Sequence, residues 1–469
     1  MSARTVVIGA GANELVAAHL LAQAGRSVLV LDSSESHPAD IGWVAPQIVR
    51  ALDLEGHGLE VKSQDPWIAV QVAPGERLEL SSDVAKSVES IRRYSPGDAE
   101  RWPAFCERMA QLARALESIA MQRPPDPMGE GFEAIAEVLG LSLRMRRMGR
   151  QPVEDLLRIL PMPIADLLDD WFECDALKGA LAGAGILHLR QGPRAGGTAL
   201  NFLQHHAGCA PGVFRPPASN LRRILAKLPG IEIRKARAAQ ILVGAGKVQG
   251  VVVEGGEKIA ANQVLSGLDP KRTFLQLVDP GWLEPEFVRA LRAIRSRGAA
   301  AHVILELERE PEFAVLAIAP SLDYLEKASD DVKYGQVSQQ PYLEARVEDR
   351  TLRVHVQWVP GNSADAAARE SLGDLVARTL GVTAAQKTVL LPADLEKAFG
   401  WPEGQMHHAE PALDQWLWMR PMPELARYRT PIGGLFLCGP AMHPGGWFNG
   451  ACGYLAAKRA LEHGRSSSL

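Results

Sequence analysis

The chain has 469 residues, 46% of them hydrophobic and 23% charged, enough for two or three domains with large buried cores. A formal net charge of -4 lacks the basic footprint of a nucleic-acid-binding protein, so no nucleic acid is expected as a partner. Five scattered cysteines (Cys106, Cys174, Cys209, Cys438 and Cys452) form no C-x-x-C pair, which argues against a disulfide framework, a zinc site or a dithiol centre and fits a reducing cytoplasm.

Thr5-Val6-Val7-Ile8 reads as a short buried parallel strand that runs into glycine. Glu14 to Ala24 carries Leu15, Ala18, Leu21 and Ala22 at helical spacing, with Gly25 as its C-cap. Val28 to Leu31 is a second buried strand closed by Asp32, completing an opening βαβ unit. No apolar run spans a bilayer, and these first residues lack the basic region and cleavage site of a signal peptide. From Ser81 to Leu203 the pattern is mostly helical, with Ser95-Pro96-Gly97-Asp98 as a helix start. Within it, Leu141 to Leu160 places Arg144, Arg146, Arg147 and Arg150 among Leu and Met residues. This is either a solvated face over a packed one or a helix lying on a membrane surface. Short strands separated by glycine turns follow at 231–233, 239–243, 248–253 and 263–265. A helical stretch after Asp269-Pro270 precedes strands near 301–307 and 352–359. The chain closes with the strand Leu435 to Cys438, a glycine-rich turn, a helix from about Gly450 to Glu462 and a serine-rich tail expected to be disordered.

Two stretches carry candidate chemistry. In Gly9-Ala10-Gly11-Ala12-Asn13-Glu14 the first glycine makes the tight turn of a dinucleotide site and the second lets a pyrophosphate approach the backbone. The third position, where a glycine would let helix and strand pack closely, is Glu14, whose carboxylate can itself occupy the anion site. Asp32 stands where a ribose-binding acid belongs. At the far end, Leu437-Cys438-Gly439-Pro440-Ala441-Met442-His443-Pro444-Gly445-Gly446 is a second glycine turn feeding a helix. His205-His206 and His407-His408 suggest metal only weakly, because adjacent residues rarely face one ion and no acidic pair follows at ligand spacing; no metal is expected. Trp401, Trp416, Trp418 and Trp447 are candidates to line an apolar cavity or simply to pack.

The two ends resemble the phytoene desaturase-related oxidoreductases, in particular the branch of pyridine nucleotide-disulfide oxidoreductase domain-containing flavoproteins. That family opens G-A-G-x-N-G-L-x-A-A and closes L-C-G-x-x-x-H-P-G-G-G. Between the ends, Gly192-Pro193-Arg194, Asp269 to Phe274, Ala319 to Leu325 and Met419-Arg420-Pro421 are also family-like. The resemblance implies an α/β fold, with a Rossmann-like FAD-binding domain of three discontinuous segments (1–80, 205–275 and 425–469). An α+β substrate domain of the amine oxidase and phytoene desaturase kind would cover 81–204 and 276–424.

It further implies FAD as cofactor, contacted by Gly9, Gly11, Asn13, Asp32, Ala238, Gly439, His443, Pro444, Gly445, Gly446 and Gly450. His443 and His408 would lie at the catalytic face, acting on a small apolar, isoprenoid-like substrate by dehydrogenation. Peripheral membrane contact and an oligomeric or paralogous partner are left open. The departures fall where FAD would touch the chain: Glu14, the short segment Ser33 to Asp40, Arg215-Pro216-Pro217 in place of a glycine pair, Trp447 in place of a third glycine, and Tyr454. They open a second reading, a flavin-free relative serving as a binding or regulatory partner.

Overall fold

Val6, Val7, Leu29 and Val30 are all but inaccessible to solvent, as strands covered on both faces must be. The structure, a computed structural model, describes residues 4–73, 75–126, 129, 132–361 and 366–466. Its first sheet has five parallel strands in the order Leu435–Leu437, Gln263–Ser266, Arg4–Ile8, Ser27–Asp32 and Glu232–Lys235. Val7 pairs with Leu265 on one side and Val30 on the other. Three distant stretches of sequence thus build one sheet. The helix Ala12–Gln23 follows the first strand directly and ends at Gly25, whose φ of +79° takes the left-handed C-cap conformation. The closing helix Ala451–Ser466 packs against it so tightly that a Cβ on Gly453 would overlap the Asn13 carbonyl. The end of the serine-rich tail lies outside the described residues.

A second unit joins helices to a seven-stranded, mostly antiparallel sheet. Ser95 caps the long helix Pro96–Ala120 by accepting from the Asp98 N–H. Trp102, Phe105, Phe172, Phe202 and Phe214 form its aromatic core. The strands Ile68–Ala73 and Glu76–Leu80, expected with the first domain, belong to this sheet. Val70 pairs with Ala317, and Ile68, Val70, Leu78 and Leu80 bury themselves in the helical core. No strand is expected here from the sequence, and the boundary at 80 comes from the resemblance alone.

Arg215 ties its segment to the seven-stranded sheet. Its guanidinium is 6% exposed, bonds both oxygens of Glu344 on the seven-stranded sheet, and donates to the Phe214 carbonyl at 2.9 Å. Burial works to raise the Glu344 pKa, but Arg215 and Tyr342 outweigh it and hold the carboxyl down at about 2. Removing one member of a buried pair strands the other charge. Glu344→Ala is therefore expected to lower stability by about 3 kcal/mol or more, read from the midpoint of urea unfolding; an unchanged midpoint would show that the pair contributes nothing.

Candidate functional site

Ligands of open parallel sheets bind beyond the carboxyl ends of the strands. Here that edge gathers Gly9, Gly11, Gly267 and Gly439 around the start of the opening helix. Gly9 has φ of +101° and faces the Glu14 side chain; a Cβ there would meet Glu14 Cγ at 3.3 Å. A Cβ on Gly11 would stand 2.5 Å from Glu14 Oε2, and one on Gly267 would overlap the same carboxyl. Gly439 packs against the Gly267 backbone, Gly450 against Val16, and Asn13 accepts from the Gly453 N–H at 3.4 Å.

The glycines therefore cradle a carboxyl group of the chain itself. Glu14 is 6% exposed. The backbone N–H groups of Gly11 and of Glu14 itself lie beside this carboxyl. Burial pushes its pKa up to about 7; those N–H groups and the Arg222 charge pull the other way. Arg222, which no sequence pattern singles out, donates from Nε to the Ala10 carbonyl at 2.8 Å, and its backbone N–H donates to Asp40 at 2.8 Å. Only the fold brings this arginine beside the turn.

Asp32 ends the second strand as expected, yet it is engaged. It accepts from the Ser34 N–H at 3.0 Å and faces His37 Nε2 at 3.2 Å, with Arg222 and Lys235 each at 3.9 Å. Burial works to raise its pKa, but the His37 and Ser34 hydrogen bonds bring it below the ordinary carboxylate value. Ala238 lies in a separate antiparallel sheet, opposite Val253.

The closing loop packs as densely. Gly446 abuts the His407 ring, so that a Cβ would overlap it, and Gly445 abuts the Arg420 guanidinium. Arg420 is 2% exposed and donates to the carbonyls of Met442, Glu410, Gln415, His407, Ala409 and Pro440 at 2.9–3.3 Å. Trp447 sits with its ring centroid 3.9 Å from His205 and 4.5 Å from His407. From there a run of partly buried imidazoles continues through His188 to His355 and His302, with centroids 5.0–5.7 Å apart. Trp401 joins its far end, Trp416 lies beside His443, and Trp418 is 40% exposed. His443 is buried, neither ring nitrogen has a hydrogen-bond partner among the described residues, and burial pushes its pKa to about 4. His408 is held through its carbonyl by Ser296 at 2.8 Å, and burial pushes its pKa to about 3. The two imidazoles are held by separate surroundings. Among the described residues, no three His, Cys, Asp or Glu side chains are placed to hold a metal ion.

Two cavities bear on what could bind. One, of about 560 Å³, lies in the second unit among Arg190, Arg297, Lys333, Pro392, Glu396 and Glu403. The other borders His443, Pro444, Gln204, Trp416 and Phe448, and its volume of about 10 Å³ has room for about one water molecule. FAD does not fit this arrangement. The turn that would face its pyrophosphate is filled by the Glu14 side chain, and the space beside His443 is closed to a ring system.

Over 535 aligned residues the chain is 28% identical to pyridine nucleotide-disulfide oxidoreductase domain-containing protein 2 of Rattus norvegicus, covering 96% of this chain and 92% of the relative. It is 25% identical to hydroxyneurosporene desaturase of Rubrivivax gelatinosus (99% and 94% covered). A limonene dehydrogenase subunit of Castellaniella defragrans is 22% identical (97% and 94% covered). The chain is thus similar along nearly its whole length to these three proteins. Its fold matches a putrescine oxidase variant with a TM-score of 0.59 at 13% identity and 99% coverage of both chains. Cyclohexylamine oxidase from Brevibacterium oxydans matches with a TM-score of 0.56 at 12% identity and full coverage. No protein-family model matches. Among the described residues, no helix of the chain is long and apolar enough to cross a membrane.

The buried histidines give the site a pH signature. Folded-state values pushed below 6.5 mean that His205, His206, His302, His408 and His443, with His188, His355 and His407, favour their neutral forms. The unfolded chain binds more protons below pH 6.5, so their contribution is complete above that value and is lost as the pH falls toward 4. Glu14, raised to about 7, runs the other way: its contribution is present below pH 4.5 and lost as the pH rises through 7. Asp40, Glu117 and Asp269, also raised by burial, run the same way as Glu14, and eight histidines against these four acids predict a lower urea midpoint at pH 5.5 than at pH 7.5. A midpoint that rises on acidification would mean the histidines are solvated.

Proposed function

We propose that this chain is a flavin-free member of the oxidoreductase family, which keeps the fold and serves as a binding or regulatory partner of a flavin-bearing relative. The observation that carries the reading is the buried Glu14 carboxyl packed between Gly9, Gly11 and Gly267, at the helix N-terminus that would otherwise face a phosphate. A carboxylate there also repels an incoming phosphate. The closed space at His443 supports the same reading from the other end of the site. A precedent for partnership stands in the name of one relative, which is called a subunit of limonene dehydrogenase and so denotes a component of a larger enzyme.

The alternative is an FAD-dependent dehydrogenase acting on an apolar substrate, as the names hydroxyneurosporene desaturase and limonene dehydrogenase suggest for those relatives. Asp32, in its place at the strand end, favours it. The His37 and Ser34 contacts to that carboxylate weigh against it.

The decisive measurement is the visible spectrum of the purified chain before and after incubation with excess FAD, followed by desalting. No retained flavin is expected; a bound, protein-perturbed flavin spectrum would overturn the proposal and reinstate the dehydrogenase. Glu14→Gly frees the Gly11 N–H group and removes the competing charge. The variant is expected to bind ADP detectably by calorimetry where the parent chain does not, and equal silence from both would show that Glu14 is not what closes the site. Co-elution with a flavin-bearing relative at a fixed ratio tests the partnership itself.

A further inference from the structure

The helix Phe132–Met148 has two apolar faces. Leu141 and Met148 pack onto the helical core. Glu137 also turns inward, to Arg427 at 2.6 and 2.7 Å. The opposite stripe has nothing of this chain over it: Ile135, Val138, Leu139 and Leu143 are 57%, 39%, 57% and 54% exposed. They recur at i, i+3, i+4 and i+8, which is one side of a helix. Among its described side chains this stripe carries no acid. The same side runs on into Arg146 and Arg147, both exposed, and Arg150 follows at the next turn with 91% of its side chain accessible. The adjoining helix Arg150–Ile159 packs against this one and adds Leu157, 60% exposed.

A solvated face over a packed one, the simpler of the two sequence expectations, would place the polar residues outward. Here four aliphatic side chains point outward and arginines close one end of the row. From this juxtaposition we infer that the helix 132–148 is a docking surface for an anionic lipid bilayer, with the aliphatic stripe entering the headgroup region and Arg146, Arg147 and Arg150 meeting the lipid phosphates. The charge pattern selects the occupant. A chain with a formal net charge of -4 concentrates cations at this one apolar edge, complementary to an anionic surface. The chemistry of the stripe points the same way. Protein interfaces centre on Trp, Tyr and Arg anchors, with Leu and Val under-represented. Among its described side chains this row holds no aromatic, and its one hydroxyl, Ser142, donates to the Val138 carbonyl within the helix at 2.9 Å. A bilayer requires no directional partner from such a surface. The helix lies in the membrane plane rather than across it, consistent with its 17 residues and basic end. The inference is independent of the flavin reading.

Flotation of the full chain with vesicles tests it. The chain is expected to float with mixed phosphatidylcholine–phosphatidylglycerol vesicles, to float less as salt is raised, and to bind phosphatidylcholine alone weakly. Leu139→Ser/Leu143→Ser removes side chains that support no core, so folding is expected to be unchanged and vesicle affinity to fall about tenfold or more. Arg146→Gln/Arg147→Gln is expected to cost about fivefold per arginine on the anionic vesicles alone. A chain that stays in the soluble fraction with every composition overturns the proposal, as does flotation that the leucine variant leaves unchanged. A dimer seen by light scattering and abolished in the leucine variant, without vesicle binding, would assign the face to a second copy and likewise overturn it.

Discussion

A buried carboxyl on the N–H groups at the start of the first helix constrains everything around it. In a dinucleotide fold the third glycine of the turn exists so that helix and strand can close on each other while the N–H groups stay available. Glu14 fills both roles with one side chain. It occupies the space between Gly9, Gly11 and Gly267, beside donors that would otherwise face an anion. A buried acid without partners would be costly. Here the N–H groups and Arg222 oppose that cost, and Arg222 is itself balanced by Asp32 and Asp40. The crevice is electrically closed with the chain's own groups.

That closure was legible in part. Glu14 in the turn, Asp32 after a buried strand and the glycines at the far end can all be read from sequence, because each depends on neighbours within a few residues. The three-segment sheet became an expectation only through resemblance, since no local signal says that 4–8, 263–266 and 435–437 will lie side by side. The strands at 68–80 show the limit from the other direction. They are not among the strands expected from the sequence, and the choice between two sheets rests on Val70 meeting Ala317, nearly 250 residues away. The histidine run was invisible for the same reason: His188, His205, His302, His355 and His407 come from five separate elements, and no spacing foretells their contact.

Long-range contacts also explain which family-like stretches remain. Arg420, within Met419-Arg420-Pro421, donates to six carbonyls of the segments 407–415 and 440–442 and so fixes the closing loop against the second unit. Asp269 caps the turn that leaves the first sheet by accepting from the Arg272 N–H at 3.0 Å. These residues hold the chain in its fold and need no cofactor to do it. An arginine without a carboxylate partner stays buried here because so many carbonyls surround its guanidinium, even though burial lowers its pKa to about 10.

The departures divide by the same physical criterion. Glu14 and Trp447 put bulk where a ligand would need space, and Arg215 commits its charge to Glu344 instead of leaving an open turn. Each is accommodated by a specific partner: the N–H groups for Glu14, His205 and His407 for Trp447, Glu344 for Arg215. A site that had merely decayed would leave unpaired groups and gaps where contacts had been lost. This one has been repacked, with the side chains that close it held as firmly as a core. The orphaned ring nitrogens of His205, His206, His407, His408 and His443 are exceptions. The fold therefore carries its stability into the region that catalysis would need open, which is what a scaffold selected for its surface, rather than for its crevice, would be expected to do.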